Sequence, residues 1–439
     1  MEEKGNFDQI KRYPSILSKL VGWITLTLSI IVGVLLSIVV IFAAAGASGS
    51  KFVAFVAGIV ALVIISGGGA YLSSRLIKGK NVIVSNKLTV IPSCIALIIT
   101  GILVLSFLYI PAENNPMKES ADVKYWNLTT GSKIAYTETA EKVTKPYPVL
   151  LVHGGPGGPY LETDYFAKAL AKDGYAVYNY QQVGAGLSSR LDDPNEYTVA
   201  RHVADLEAIR KKLHAEKIIL LGRSWGGQLI ARYMAKYPDN VEKTILTSPG
   251  PMWNNPDSDI GPNLTESGQK DSDAAVIDNL RYTAANVISQ IGGSAGLKVL
   301  MPEKYLDGLY EHFVDTLSME PGNPSYNKNS KPPVSGYGFW VNTQTTKDAR
   351  AIEDPRPKLK NNQTPILIMR SQYDYIAWEQ TREYRDTFPN STLVTIDGLG
   401  HSIRAPYQEL YADYVVKYLN GEKLPSKPYT GKEEPWSVK

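Results

Sequence analysis

The sequence predicts an α/β fold, a mostly parallel sheet with helices on both faces, which carries an inserted, mainly helical cap and is preceded by three transmembrane helices. Three observations lead there. From residue 122 onward short β-type apolar runs alternate with helical patterns, the signature of parallel strands joined by crossover helices. The alternation breaks between 249 and 362, where Pro, Gly, Asn and Asp accumulate, and then resumes. The first quarter of the chain holds three long apolar runs without a charged residue. At 439 residues the chain is long enough for two or three domains with a large buried core.

The apolar runs span 20–45, 52–72 and 88–110, and each suffices to cross about 30 Å of hydrocarbon as a helix. A buried core helix is the rival for any one of them, but three in succession favour a membrane region. A signal peptide is the rival for the first. That run is much longer than a typical h-region and follows a polar segment, so it reads as a retained anchor. Lys4, Lys11, Arg12 and Lys19 precede the first run, and Arg75, Lys78, Lys80 and Lys87 separate the second from the third. Only Lys51 lies between the first two. The positive-inside rule then puts the N-terminus in the cytoplasm and everything after residue 110 on the extracytoplasmic side of the cell membrane.

Residues 111–121 read as a linker, 122–250 and 363–421 as the two parts of the α/β core, 251–362 as the cap and 422–439 as a loosely ordered tail. Strands are expected at 133–137, 148–152, 175–180, 218–221, 243–247, 365–369 and 392–396, with no clear strand in the cap. Helices are expected at 165–171, 199–214, 228–236, 273–291, 303–317, 378–388 and 407–419. The 199–214 segment shows why: Val203, Leu206, Ile209 and Leu213 repeat at the spacing that buries one helical face. Net charge is +3 and no basic run is interleaved with aromatics, which argues against nucleic acid as a partner. The single cysteine, Cys94, excludes an internal disulfide and reads as a small hydrophobe.

Gly222-Arg223-Ser224-Trp225-Gly226-Gly227 follows the apolar run 217–221 and opens an amphipathic segment. A strand, a sharp turn with serine at its tip and a helix make a nucleophile elbow, where glycines admit a strained backbone and close strand–helix packing. A serine hydroxyl needs a base, and the base needs a carboxylate to hold its tautomer. Of the five histidines, only His401 follows an expected strand near the C-terminus in a glycine-rich loop. Asp374 sits just beyond the strand 365–369, at the end where open α/β sheets place their sites; Asp397, nearer His401 in sequence, is the rival acid. The Trp225 N–H is one donor for a tetrahedral oxyanion. The second belongs to His153-Gly154-Gly155-Pro156-Gly157-Gly158, directly after the strand 148–152. A phosphate cradle is the other reading of that loop, but no Lys-Ser/Thr follows and Pro156 removes a donor.

The HGGPGG loop, the run VADLEAIRKKLHAEKIILLGRSWGGQLIARYMAKYPDNV at 203–241 and the settings of Asp374 and His401 resemble the proline iminopeptidase branch of the α/β-hydrolases, over roughly 122–421 less the cap. The resemblance implies an α/β-hydrolase fold, Ser224 as nucleophile, Asp374 and His401 as its partners, and Gly155 and Trp225 as oxyanion donors. It implies a serine peptidase that releases an N-terminal residue, often proline, from short peptides or amides without metal or cofactor. Three departures stand out. Gln181-Gln182-Val183-Gly184 replaces the family's Asp-Gln-Arg-Gly, Arg223 replaces glycine before the serine, and the cap lacks a Trp-x-x-Trp-Glu pattern. Glu303, Asp307, Glu311 and Asp315 are the cap carboxylates open to gripping a substrate amine. The rivals are an esterase or amidase that needs no free amino terminus and a catalytically silent, membrane-attached binding module. The expected partners are a small peptide, amide or ester substrate and the lipid bilayer; the residues set no oligomeric state.

Overall fold

A computed structural model describes residues 14–79, 86–112, 115–159, 164–253, 265–266, 273–318, 323 and 335–436. Lys4, Lys11, Arg12 and Lys80, on which the topology argument draws, lie outside these residues, as do 254–264, 267–272, 319–322 and 324–334 of the expected cap. The chain forms two compact units: the three apolar helices with Ile291–Pro302, and Ala112–Gln290 with Glu303–Lys439.

In the first unit α1 (Ile16–Ser48), α2 (Lys51–Lys78) and α3 (Asn86–Tyr109) are long and apolar enough to cross a membrane. Ser15 caps α1 by accepting the Ser18 N–H at 3.1 Å, and Gly49 ends it in the left-handed region, with φ 65°. Ser50 caps α2 at once, so α1 and α2 form an antiparallel pair across a tight turn. Small residues bring the two helices close: Gly22 faces Leu76 and Ile77, Gly33 faces Leu62 and Ser66, and Gly58 faces Ile41. Large apolar side chains such as Leu35, Val39, Ile64 and Ile98 point outward, the reverse of a water-soluble bundle. Helix α8 (Ser294–Leu300), expected within the cap, packs instead on α1, where Gly296 lies against the Phe42 carbonyl.

The second unit is built on eight strands: β1 (Lys124–Asn127), β2 (Lys133–Thr139), β3 (Val149–Val152), β4 (Val177–Tyr180), β5 (Ile218–Ser224), β6 (Val241–Pro249), β7 (Ile366–Ser371) and β8 (Ser391–Ile396). Their order is β1-β2-β4-β3-β5-β6-β7-β8, with β2 antiparallel to both neighbours and the rest parallel. β3, β5 and β7 are buried at every residue, as strands covered on both faces must be. Side-chain alternation divides them. Leu151, Ile219, Leu221, Leu367 and Met369 share one core with α4 (Asp164–Lys172) and α13 (Tyr407–Asn420). The other face carries α5 (Val199–Lys212), α6 (Trp225–Lys236) and α12 (Trp378–Thr387).

Cap helices α7 (Asp273–Ile288) and α9 (Glu303–Thr316) run close to the expected bounds, while a two-residue ladder, Thr265–Glu266 with Leu317–Ser318, adds a strand pair that the composition does not announce. Helices α10 (Phe339–Ala351) and α11 (Arg356–Leu359) complete the described part of the insertion. The expectation of a loose C-terminal tail is corrected. The Tyr429 N–H donates to the Leu393 carbonyl at 2.7 Å, and the carbonyls of Gly431 and Lys432 accept from Arg385, Trp378 and Arg382 on α12. What joins them is side-chain donors on backbone acceptors, which no complementary pattern of side chains in the sequence announces.

Leu170 on α4 is fully buried against the sheet. Leu170→Ala should cost about 2–5 kcal/mol, read as a lower denaturant midpoint for the α/β unit. A midpoint equal to wild type would show that this face is not the main core.

Candidate active site

The order of the strands reverses between β3 and β5, the switch point beside whose C-terminal strand ends open α/β sheets place their sites. Ser224 is both the last residue of β5 and the N-cap of α6, with φ 55° and ψ −123°, a conformation disfavoured for a residue with a β-carbon. The surrounding glycines make the turn possible. A β-carbon at Gly222 would meet the Gly226 backbone at 2.8 Å, one at Gly227 would meet Pro249 at 2.7 Å, and one at Gly226 would collide with the Val152 carbonyl. Gly250 closes the turn from β6 by donating its N–H to the Ser224 carbonyl at 2.9 Å.

That close approach sets the start of α6 beside the 153–158 loop, and one side chain ties them together. Gln182 accepts the Trp225 indole N–H at 3.0 Å, donates to the His153 carbonyl at 2.8 Å, and gives its own N–H to His153 Nε2 at 2.8 Å. His153 Nε2 is therefore the acceptor and Nδ1 the donor, 2.9 Å from the Gly154 carbonyl. Burial, only partly offset by that bond, pushes the imidazole down to about 4, so it stays neutral. Gly155 and Gly157 take φ 113° and 77°, and the Pro156 carbonyl accepts from Asn342 at 3.0 Å and Tyr310 at 3.4 Å. Cap helices α10 and α9 thus hold the loop that carries Gly155.

Beyond β7, Asp374 is buried and its Oδ1 accepts from His401 Nδ1 at 2.8 Å and from the Ile376 N–H at 3.0 Å. Its Oδ2 lies 3.3 Å from Arg370 Nη1. Burial alone would raise this carboxyl, but His401 and Arg370 outweigh it and hold the group at about 2. His401, 1% exposed, lies under the Tyr375 ring at 4.4 Å, and among the described residues its Nε2 has no hydrogen-bond partner. Asp397 does not share this place: its Oδ1 accepts the Trp436 indole N–H at 2.5 Å.

Three of the four cap carboxylates are engaged with other protein groups. Asp307 accepts the Phe339 N–H at 2.8 Å and pairs with Arg190 at 3.2 Å, while Glu311 accepts the N–H groups of Asn115 and Tyr337 at 2.6 and 3.1 Å. Glu303 faces Arg190 at 3.4 Å, and Asp315 is exposed. Burial raises Asp307 to about 6 and Glu311 to about 7 despite those donors. Sequence reasoning did not single out Arg370, Tyr375, Asn342 or the bridging role of Gln182. The signal for Gln182 was its place in the loop after β4, where the family pattern also has glutamine.

The alpha/beta hydrolase fold family matches residues 147–403. A proline iminopeptidase from Lactobacillus delbrueckii subsp. bulgaricus is 28% identical over 307 residues, covering 66% of this chain and 96% of its own length. A proline iminopeptidase from Lactobacillus helveticus is 40% identical over 120 residues, 27% of this chain and 40% of that one. Among solved structures, an esterase from Exiguobacterium antarcticum superposes with a TM-score of 0.46 at 18% identity, over 68% of this chain and 99% of the esterase.

The depressed His153 makes stability depend on pH in a defined direction. Between about 6.5 and about 4 the unfolded imidazole takes up a proton that the folded one refuses, so its contribution is present above 6.5 and is lost as pH falls towards 4. A shift of that size corresponds to about 3 kcal/mol. Denaturation at pH 7 and pH 4.5 should show His153→Gln losing less stability on acidification than wild type. Parallel losses would mean that His153 protonates in the folded protein.

Proposed function

The chain belongs to the α/β-hydrolase family, and we propose that it is a membrane-anchored serine hydrolase of the proline iminopeptidase type, with Ser224, His401 and Asp374 as its triad. The observation that carries this reading is the buried Asp374–His401 pair at 2.8 Å, on the loops after β7 and β8 and on the same sheet edge as the strained Ser224 turn. The chain order Ser, Asp, His is the family's own.

In this mechanism Ser224 Oγ attacks the scissile carbonyl and its proton passes to His401 Nε2, while Asp374 holds Nδ1–H and stabilises the imidazolium. The oxyanion takes N–H bonds from Trp225 and Gly155; one such donor is worth on the order of 10²–10³ in turnover. The imidazolium then protonates the leaving amine, which departs and leaves an acyl-serine. Water, deprotonated by the same imidazole, attacks the acyl carbon and restores Ser224. A neutral His153 suits this chemistry, because it keeps a second imidazolium away from the serine's base.

Similarity to proline iminopeptidases supports short peptides or amides with a free N-terminal residue, proline among them, as substrates. A second reading draws on the cap. Asp307 and Glu311 engage backbone N–H groups, which favours an esterase or amidase that does not grip an amine. The three apolar helices support a membrane anchor, and the distribution of Lys and Arg supports a catalytic unit on the extracytoplasmic side.

Ser224→Ala should lower hydrolysis on the order of 10⁴-fold or more, and an unchanged rate would exclude the triad. Prolyl and alanyl anilides compared with their N-acylated forms and with simple esters should show a preference for the free amine; equal cleavage of blocked and free substrates would favour the esterase reading. Protease added to intact cells should digest the catalytic unit, and full protection would reverse the proposed topology.

A further inference from the structure

The last described residues of the chain run to the triad. Past Gly421 the tail is fastened to β8 through Tyr429 and to α12 through Gly431 and Lys432, with the Tyr429 ring edge-on to Trp378 at 5.6 Å. Beyond these fastenings two side chains turn inward. Glu434 Oε1 lies 3.5 Å from Arg370 Nη2, and Trp436 donates to Asp397, four residues before His401. Arg370, 2% exposed on β7, also faces Asp374 through both its carboxylate, at 3.3 Å, and its carbonyl, at 3.4 Å. A line of polar contacts therefore connects Glu434, Arg370, Asp374 and His401.

The balance of charge around Asp374 gives this line a purpose. Arg223, at the end of β5, is buried and lies within electrostatic reach of Tyr411, as do Arg370 and Asp374. Tyr411 itself, on α13, shares a 2.6 Å hydrogen bond with Ser371 and stays un-ionised. Arg370 thus stands between two carboxylates, the buried Asp374 and Glu434 of the tail. Building on the triad reading above, we propose that the C-terminal tail is a positioning element of the catalytic centre: Glu434, acting through Arg370, sets how strongly Asp374 holds His401, and Trp436, through Asp397, fixes the loop that carries the histidine. Glu434 is a positioning residue and touches no reacting atom.

The direction of its effect follows from electrostatics. Arg370 divides its charge between Glu434 and Asp374. When Glu434 is neutral, the guanidinium acts wholly on Asp374, the carboxylate favours the imidazolium less, and the His–Asp pair is harder to protonate. When Arg370 is neutral, the pair is easier to protonate. The two substitutions must therefore move the acid limb of a pH–rate profile in opposite directions, an outcome that general loosening of the fold does not produce.

A fluorophosphonate probe reads this without knowledge of the natural substrate, since Ser224 Oγ displaces fluoride at phosphorus while the serine proton passes to His401. Labelling rates of the full-length, membrane-inserted protein should be followed from pH 4.5 to 9, with Ser224→Ala as the blank. Glu434→Gln, on a side chain about one-third exposed, should move the acid limb down by roughly 0.3–0.5 unit. Arg370→Gln should move it up and slow labelling at pH 7 by about tenfold, with Arg370→Lys restoring part of both. A chain ending at Lys432 should share the Glu434→Gln shift and label more slowly still. Limbs that stay in place in Glu434→Gln and in the shortened chain, or that move the same way in Glu434→Gln and Arg370→Gln, would overturn the proposal. A wild type that does not label at any pH would instead overturn the triad reading, and the tail proposal with it.

Discussion

The arrangement of the catalytic unit depends on one close approach, that of the first turn of α6 to the end of β3. No side chain fits between them: Gly226 lies against the Val152 carbonyl, and a single methyl there would drive strand and helix apart. From this contact follow the abrupt turn at Ser224, the place of Trp225 beside the glycine loop, and the reach that lets one glutamine bridge both. Because Gln182 binds the indole, the His153 carbonyl and the His153 ring together, the loop and the helix start behave as one rigid piece. Rigidity matters there because an oxyanion donor contributes only when it is already aimed before charge develops.

Electrostatics divides the same region into a neutral side and a charged side. Around β3 and β4, His153 is buried, its ring has no ion-pair partner among the described residues, and it is kept uncharged and held by hydrogen bonds. Around β7 and β8 the reverse holds: Asp374 is just as buried, yet it remains ionised because Arg370 and His401 stand against it. Two groups of similar burial thus take opposite states because their neighbours differ. The cap shows a third outcome, since burial raises Asp307 and Glu311 although each is supplied with backbone donors.

Much of this was legible in the sequence, and what was not follows a pattern. The apolar middles of β3, β5, β6 and β7 fall where the alternation places them, but the expected strands stop at 221, 247 and 369, whereas the observed ones reach Ser224, Pro249 and Ser371. Apart from Gly222 and Pro249, the missing residues are polar and buried: Arg223 and Ser224, Ser248, Arg370 and Ser371. Reading strands by apolarity cuts off the very ends at which an α/β sheet does its chemistry. β1 escaped for the opposite reason, being an edge strand in which only Trp126 is buried. α10 escaped because Phe339, Trp340 and Val341 are consecutive rather than spaced at a helical period. Ser224, Asp374 and His401 were visible because each sits in local punctuation, and Arg370 was not, because its role depends on which segment folds back beside it.

The tight turn at Gly49 and Ser50 has a consequence for how the chain is assembled. Two helices that pack along their lengths through glycine and serine, with almost no chain between them, have no use for independent orientations. If they enter a bilayer, they enter as a hairpin, and the segment before α1 and the segment after α2 emerge on the same face whichever way the hairpin points. The third helix then decides the parity. Orientation is reduced from three separate decisions to one, so a few lysines and arginines on a single side of the hairpin are enough to commit the whole protein.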